Sequence, residues 1–249
     1  MERNITVTAV VLRSRRWGDL NRRLTLITPE LGVIEALAYG ARKGKLAGRI
    51  EVFLHGRFYL YHNPVRGDYS IVDVEPLDMA DHVRGDLGCM YAASFMSELV
   101  MKMDGGDFSA MYALLSETLR LLDEGGKEVL DRLVIQFIWQ MIGISGLAPD
   151  LLVCPICDRI YTEDEMLDFN IAIHAPCCSA CSDVDVQSRE MALGSGARRY
   201  LVYTSGMPIA DAVQVTLNTV ASTRIKRYML KYASITAGGD LKTLAVNLL

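Results

Sequence analysis

The chain lacks any uninterrupted apolar stretch near the roughly 20 residues that span a bilayer, and its 12 methionines are scattered through helical patterns. Its start, Met1-Glu2-Arg3-Asn4, runs into alternating residues instead of a basic stretch, an apolar core and a cleavage site. A soluble, cytoplasmic protein is the expectation. Histidine is scarce, at positions 55, 62, 82 and 174 alone. There is no His-Glu-x-x-His, no Gly-x-Ser-x-Gly and no pair of carboxylates that stands out from surface charge. Nuclease and hydrolase chemistry is not expected, and the chain reads as a non-enzyme. Internal repeats and low-complexity linkers are missing too. The loop Gly40-Ala41-Arg42-Lys43-Gly44-Lys45 fails as a phosphate loop for ATP. Three residues instead of four separate its glycines, and Leu46 stands where Ser or Thr would hold magnesium.

What is present begins with cysteine. Two Cys-x-x-Cys pairs, Cys154/Cys157 and Cys178/Cys181, stand twenty residues apart. Each pair sets two thiolates on a tight turn, and two such turns complete the tetrahedron that zinc favours. Four protein ligands leave no open position for water, so one structural zinc per chain is expected, holding residues 150–184 as a module. A disulfide or redox pairing would require an oxidising compartment, and thiols without a role are the remaining reading. Cys177 beside Cys178, with His174 nearby, leaves the register of the second pair open. Cys89, in an apolar helical pattern, reads as an ordinary buried thiol. The acidic span from Asp158 to Pro176 has little periodicity and reads as a loop pinned only at its base.

The net charge of −4 argues against an anionic partner until the charges are placed along the chain. Between Arg13 and Arg49 there are nine basic residues (Arg13, Arg15, Arg16, Arg22, Arg23, Arg42, Lys43, Lys45 and Arg49) against Asp19, Glu30 and Glu35. That segment carries +6 and the remainder −10. Such a run is either a solvated face or an electrostatic footprint for a polyanion.

Strand patterns occupy the same region. Ile5 to Arg13 alternates, Arg23 to Thr28 is β-rich, and Gly32 to Ala38, Val52 to Tyr61 and Tyr69 to Val74 follow with turn residues between them. Five strands in about 75 residues suggest a small barrel of the OB-fold type, which commonly binds single strands across one face. After Pro76 the period becomes helical: one helix through Leu87, Met90, Phe95 and Leu99, a second from Phe108 to Leu122, and a third from Leu130 to Met141. A last helical region has Ala212 to Tyr232 as its clearest segment. The expected class is α+β, with an OB-fold DNA-binding domain at 1–78 and a helical domain at 79–249 into which the zinc module is inserted. The Met and aromatic stripes of the helices read as core or as an apolar groove for a partner.

Taken in order, these parts resemble the RecO family of bacterial recombination and repair mediators. The similarity lies in Val11 to Asp19, Leu24 to Gly32 and Ala38 to Lys43, and in Gly143 to Pro149 leading into Leu151-Leu152-Val153-Cys154-Pro155-Ile156-Cys157. Two departures are Asp19, where members often carry Glu, and Ile173 to Cys177, where many have a Gly-Gly turn. The resemblance implies a protein without catalytic turnover that binds single-stranded and duplex DNA and anneals complementary strands. It also implies work with RecR to load RecA on strands coated by single-stranded-DNA-binding protein, whose acidic, apolar C-terminal tail related members bind.

Arg and Lys would release counterions from phosphates while Trp17 and Tyr39 stack on unpaired bases. Trp17 packing over the barrel end, and Tyr39 filling the core, are the plain alternatives. Arg224, Lys226, Arg227 and Lys231 lie at helical spacings and form a second basic group, read as solvated surface, a phosphate track or a cradle for an acidic tail, which Arg198 and Arg199 could join. The rival function is a zinc-ribbon interaction or transcription protein whose barrel does not bind DNA.

Overall fold

The computed structural model describes residues 3–103, 105–182 and 191–246. Residues 183 and 184 of the expected metal module, and the chain ends 1–2 and 247–249, lie outside the described residues. Five strands, β1 (Asn4–Trp17), β2 (Asn21–Thr28), β3 (Gly32–Ala38), β4 (His55–Asn63) and β5 (Asp68–Asp78), close into a barrel in the order β1-β2-β3-β5-β4. This is the small OB-fold type of barrel that the strand pattern predicts.

Closure depends on β1 exchanging partners. Its first half, Asn4 to Val10, pairs antiparallel with Tyr61 to His55 of β4, and its second half, Val10 to Trp17, pairs with Ile27 to Asn21 of β2. The register slips between Val11 and Arg13. There Val11 turns to the chain before β4, giving its N–H to Leu54 O at 2.9 Å and accepting the Phe53 N–H at 2.8 Å. A bulge of this kind bends a strand from one sheet surface to the next. The inward side chains Leu24, Leu26, Phe58, Leu60 and Val74 fill the barrel.

Strand β2 is buried on both faces from Leu24 to Thr28, where a one-sided sheet would alternate. The helices explain it. After α1 (Asp81–Gly85), α2 (Leu87–Lys102) packs on β1, and α3 (Phe108–Gly125) packs on β1, β2 and β3. Asp86 caps α2 by accepting from the N–H groups of Gly88 and Cys89, and Asp107 caps α3 by accepting from Ala110. Gly32 opens β3 at φ +67°, and a Cβ there would stand 2.9 Å from the Phe108 ring, so the turn and the helix contact both require glycine.

The chain forms two compact units, 1–130 with 241–249 and 131–240. The second holds α4 (Leu130–Ile144, but for its first residue), the strand pair β6 (Asp168–Asn170) and β7 (Ala175–Cys177), α5 (Ser195–Thr204), α6 (Ile209–Ala212) and α7 (Thr219–Thr236). Gln136 of α4 donates to Thr204 of α5 at 3.0 Å, and Lys226 of α7 pairs with Asp131 of α4 at 2.8 Å. The expected helix Ala212 to Tyr232 is broken. Asn218 accepts from Ala221 N–H at 2.8 Å and starts α7 at Thr219, while the preceding Val213, Val215 and Thr216 are β-branched and pack poorly in a helix. None of the described helices is long and apolar enough to cross a membrane.

Candidate nucleic-acid interface and metal centre

The four paired cysteines converge. Their Sγ atoms lie within 4.8 Å of one another, those of Cys157 and Cys178 at 3.8 Å, and all are free thiols. Sulfurs about 2.3 Å from a common centre sit ~3.8 Å apart in a regular tetrahedron, so the set could hold one metal ion. Each pair is positioned by its own backbone. Val153 and Ile160 bridge across the first turn, Cys154 donates to Arg159 O at 2.9 Å, and Asp158, at φ 56°, donates to Cys154 O at 3.0 Å. The second pair follows β7 on a 3-10 turn, where Cys181 donates to Cys178 O at 2.9 Å and Asn170 Nδ2 donates to Cys181 O at 3.0 Å. Burial opposes ionisation of Cys154, but N–H groups of Cys178, Ile156 and Cys157 aimed at its sulfur bring the thiol down to about 6. Cys177 is buried in β7 and His174 is exposed, and neither joins the four.

The span between the pairs is not a loop held only at its base. Leu167 and Phe169 are buried, Phe169 packs edge-on to Tyr232 with ring centres 6.2 Å apart, and Leu167 and Leu193 exchange backbone hydrogen bonds at 2.9 and 2.7 Å. Alternation in Leu167-Asp168-Phe169 carries this signal, but three residues of it are easily lost in an acidic segment. Arg198 was equally hidden beside Arg199. It is buried, donates to the carbonyls of Thr162 and Glu163, the latter at 2.7 Å, and lies 5.6 Å from the centre of the Tyr161 ring. Its partner in sequence, Arg199, stays exposed and pairs with Asp164 at 3.0 Å.

The nine cations of the barrel divide into two groups. Arg13 and Arg23 face Glu35 at 4.0 and 3.5 Å, Arg22 faces Glu51 at 3.2 Å, and Lys45 and Arg49 share Asp73 at 2.6 and 2.8 Å. Hydrogen bonds from Lys45, from the Val74 N–H and from Arg49 hold the Asp73 carboxyl down to about 2, so it is an anion at any functional pH. Arg15, Arg16, Arg42 and Lys43 are exposed and make no ion pair among the described residues.

These four gather at one end of the barrel. Strands β1 and β2 run together to the pair Trp17 and Asn21, with Arg15 opposite Arg23 on one face and Arg16 opposite Arg22 on the other. The loop after β3 is tied to their turn: Gly40 N–H donates to Asn21 Oδ1 at 3.0 Å, Arg42 N–H to Leu20 O at 3.1 Å, and Arg42 Nη1 to Asp19 O at 2.7 Å. Within the loop, Gly44 N–H closes on Gly40 O at 2.6 Å, and a Cβ on Gly44 would stand 2.9 Å from that oxygen. The glycines therefore set a fixed turn rather than a slack one. Trp17 is 46% exposed and Tyr39 59%. The Arg23 guanidinium lies 3.7 Å over the Trp17 ring centre and covers one of its faces.

Comparison with known sequences decides the family. The family model "Recombination protein O N terminal" matches residues 1–80, and "Recombination protein O C terminal" matches residues 84–245. The chain belongs to the recombination protein O family. Proteins called "DNA repair protein RecO" are among its relatives. One from Synechococcus elongatus is 33% identical over 62% of this chain and 59% of the relative. Others from a Roseiflexus species and from Bacillus pumilus are each 26% identical, covering 95% and 94% of this chain and 82% and 90% of the relatives. The match thus spans about three fifths of the Synechococcus protein's length.

Within this RecO-family chain the second basic group is also divided. Lys226 is paired with Asp131 at 2.8 Å and Lys231 is half-buried. Arg224 and Arg227, three residues apart on α7, border a cavity of about 660 Å³ whose wall includes Met166, Leu193, Ile225 and Tyr228. Replacing Arg198 by Ala strands two carbonyls and should cost about 1–3 kcal/mol. Limited proteolysis should then cut within 150–182 faster than in the parent chain; an unchanged cleavage rate would show that the Arg198 contacts add nothing to the hold that the sulfur cluster and the packing of Leu167 and Phe169 have on that segment.

Proposed function

We propose that this RecO-family protein is a non-catalytic DNA-binding mediator of recombinational repair, acting in the cytoplasm. The observation that supports it is the tied junction of the β1–β2 turn with the loop after β3, where four unneutralised cations and two exposed aromatic rings share one end of a small barrel. Cations there would meet phosphates of single-stranded or duplex DNA, and the free faces of Trp17 and Tyr39 would stack on unpaired bases. Contacts of that kind are indifferent to sequence, as strand annealing requires. Residues 1–78 would serve as the DNA-binding domain and 79–249 as the helical domain. In this reading the protein works with RecR to load RecA onto strands covered by single-stranded-DNA-binding protein. The cavity beside Arg224 and Arg227 suits that protein's acidic, apolar tail, with cations for carboxylates and Ile225 and Tyr228 for apolar side chains.

The second reading, a barrel that contacts proteins only, draws on the five cations held by Glu35, Glu51 and Asp73. Two variants separate the readings. Arg42→Glu with Lys43→Glu should weaken binding of all single-stranded sequences by about tenfold or more, while Asp73→Asn, which frees Lys45 and Arg49, should strengthen it. Fluorescence anisotropy with labelled oligonucleotides measures both, and native affinity in both folded variants would discard the DNA reading.

The sulfur cluster is assigned to zinc because four converging thiolates, joined by no carboxylate among the described residues and filling all four positions, suit it. The residues that would hold it are Cys154, Cys157, Cys178 and Cys181, and the metal would supply structure to the module. Elemental analysis should find about one zinc per chain, and Cys154→Ser should lower thermal stability; a metal-free preparation of parent stability under reducing conditions would refute the assignment.

A further inference from the structure

We propose that the cavity between β1 and α2 binds a nucleoside 5′-monophosphate, either free or as the phosphorylated end of a DNA strand. The cavity measures about 690 Å³, within the range of roughly 300–1,000 Å³ typical of small-ligand sites. All of its lining belongs to the barrel unit.

Its wall divides by chemistry. Met90 and Met101 of α2, with Val33 and Val52 from the barrel, form an apolar part, and thioethers pack well against π-systems such as a nucleobase. Arg13, Arg15, Lys102 and Lys242 supply four cations, opposed by the carboxylates of Glu35 and Glu98. Both carboxylates are engaged within the protein. Glu35 faces Arg13 and Arg23, and Glu98 accepts the backbone N–H groups of Lys242 and Thr243 at 2.9 and 2.8 Å and the Thr243 hydroxyl at 2.7 Å. The same Glu98 contacts, with the Tyr91 hydroxyl donating to Thr243 O, latch the C-terminal 3-10 turn (Lys242–Val246) so that Lys242 stands at the rim.

The balance of +2 selects the ligand. A phosphate monoester carries about −1.5 to −2 at neutral pH, which this lining compensates, whereas the diester of a continuous strand carries one charge and a metal cation would be repelled. Inorganic phosphate would leave the apolar part unused. Arg13 is only loosely engaged by neutral groups: its Nη2 lies 3.4 Å from Thr25 Oγ1, and its Nε has no hydrogen-bond partner. An anionic oxygen is a stronger acceptor than the Thr25 hydroxyl.

The site shares Arg15 with the proposed DNA surface and rests on that reading only where the ligand is a strand end. Calorimetric titration of the full chain with deoxythymidine monophosphate should show saturable binding, about tenfold tighter than thymidine. Met101→Trp, which narrows the apolar part of the cavity, and Lys102→Glu, which reverses a rim charge, should each reduce it about tenfold; should Met101→Trp fail to fold, Lys102→Glu alone is read. Two oligonucleotides differing only in a 5′-phosphate then identify the source: a gain for the phosphorylated strand that Lys102→Glu abolishes assigns the strand end, and equal binding assigns the free nucleotide. The Arg42→Glu, Lys43→Glu variant should keep full mononucleotide affinity, which separates failure of the DNA reading from failure of this one. No saturable binding to the native chain, or binding that neither variant alters, overturns the proposal.

Discussion

Strand β1 is the constraint on which the barrel and its proposed surface both depend. One strand of 14 residues is hydrogen-bonded to β4 over its first half and to β2 over its second, and the bulge between Val11 and Arg13 permits the exchange. Without that bend the sheet would keep two open edges. The same bend aims the end of β1 along β2 and away from the filled barrel, where Arg15 on one face of the ribbon and Arg16 on the other meet solvent. The loop after β3 is bonded to the turn this ribbon makes, so closing the barrel also assembles the cationic end.

Carboxylates then determine which charges are available. Glu35, Glu51 and Asp73 face five of the nine barrel cations, and each exposed pair of this kind contributes little to stability, roughly 0–1 kcal/mol. Their effect is electrostatic selection. A cation that leaves a carboxylate for a phosphate exposes a new anion that gathers its own counterion, so the exchange yields almost no net counterion release. In the proposed interface the driving force therefore comes from Arg15, Arg16, Arg42 and Lys43.

Much of this was legible in the sequence because period-2 alternation and Cys-x-x-Cys spacing are local signals. The five strands, the helices α2 to α4 and the four-thiol cluster lie where those patterns place them. The parts that escaped depend on contacts distant in the chain. The continuation of β1 to Trp17 has no buried face and so no alternation. Burial of β2 on both sides comes from α3, some eighty residues on. Arg198 looks like surface charge beside Arg199 until the carbonyls of Thr162 and Glu163 are brought to it. The Asp73 carboxylate that Lys45 and Arg49 share likewise sits on β5, outside the basic segment from Arg13 to Arg49.

The most direct test of this selection is the dependence of single-strand affinity on salt. A logarithmic plot of the binding constant against salt concentration has a slope of about −0.7 per phosphate neutralised. Four available cations predict a slope of about −3. A slope near −6, as nine cations acting together would give, or one near zero, would contradict the account.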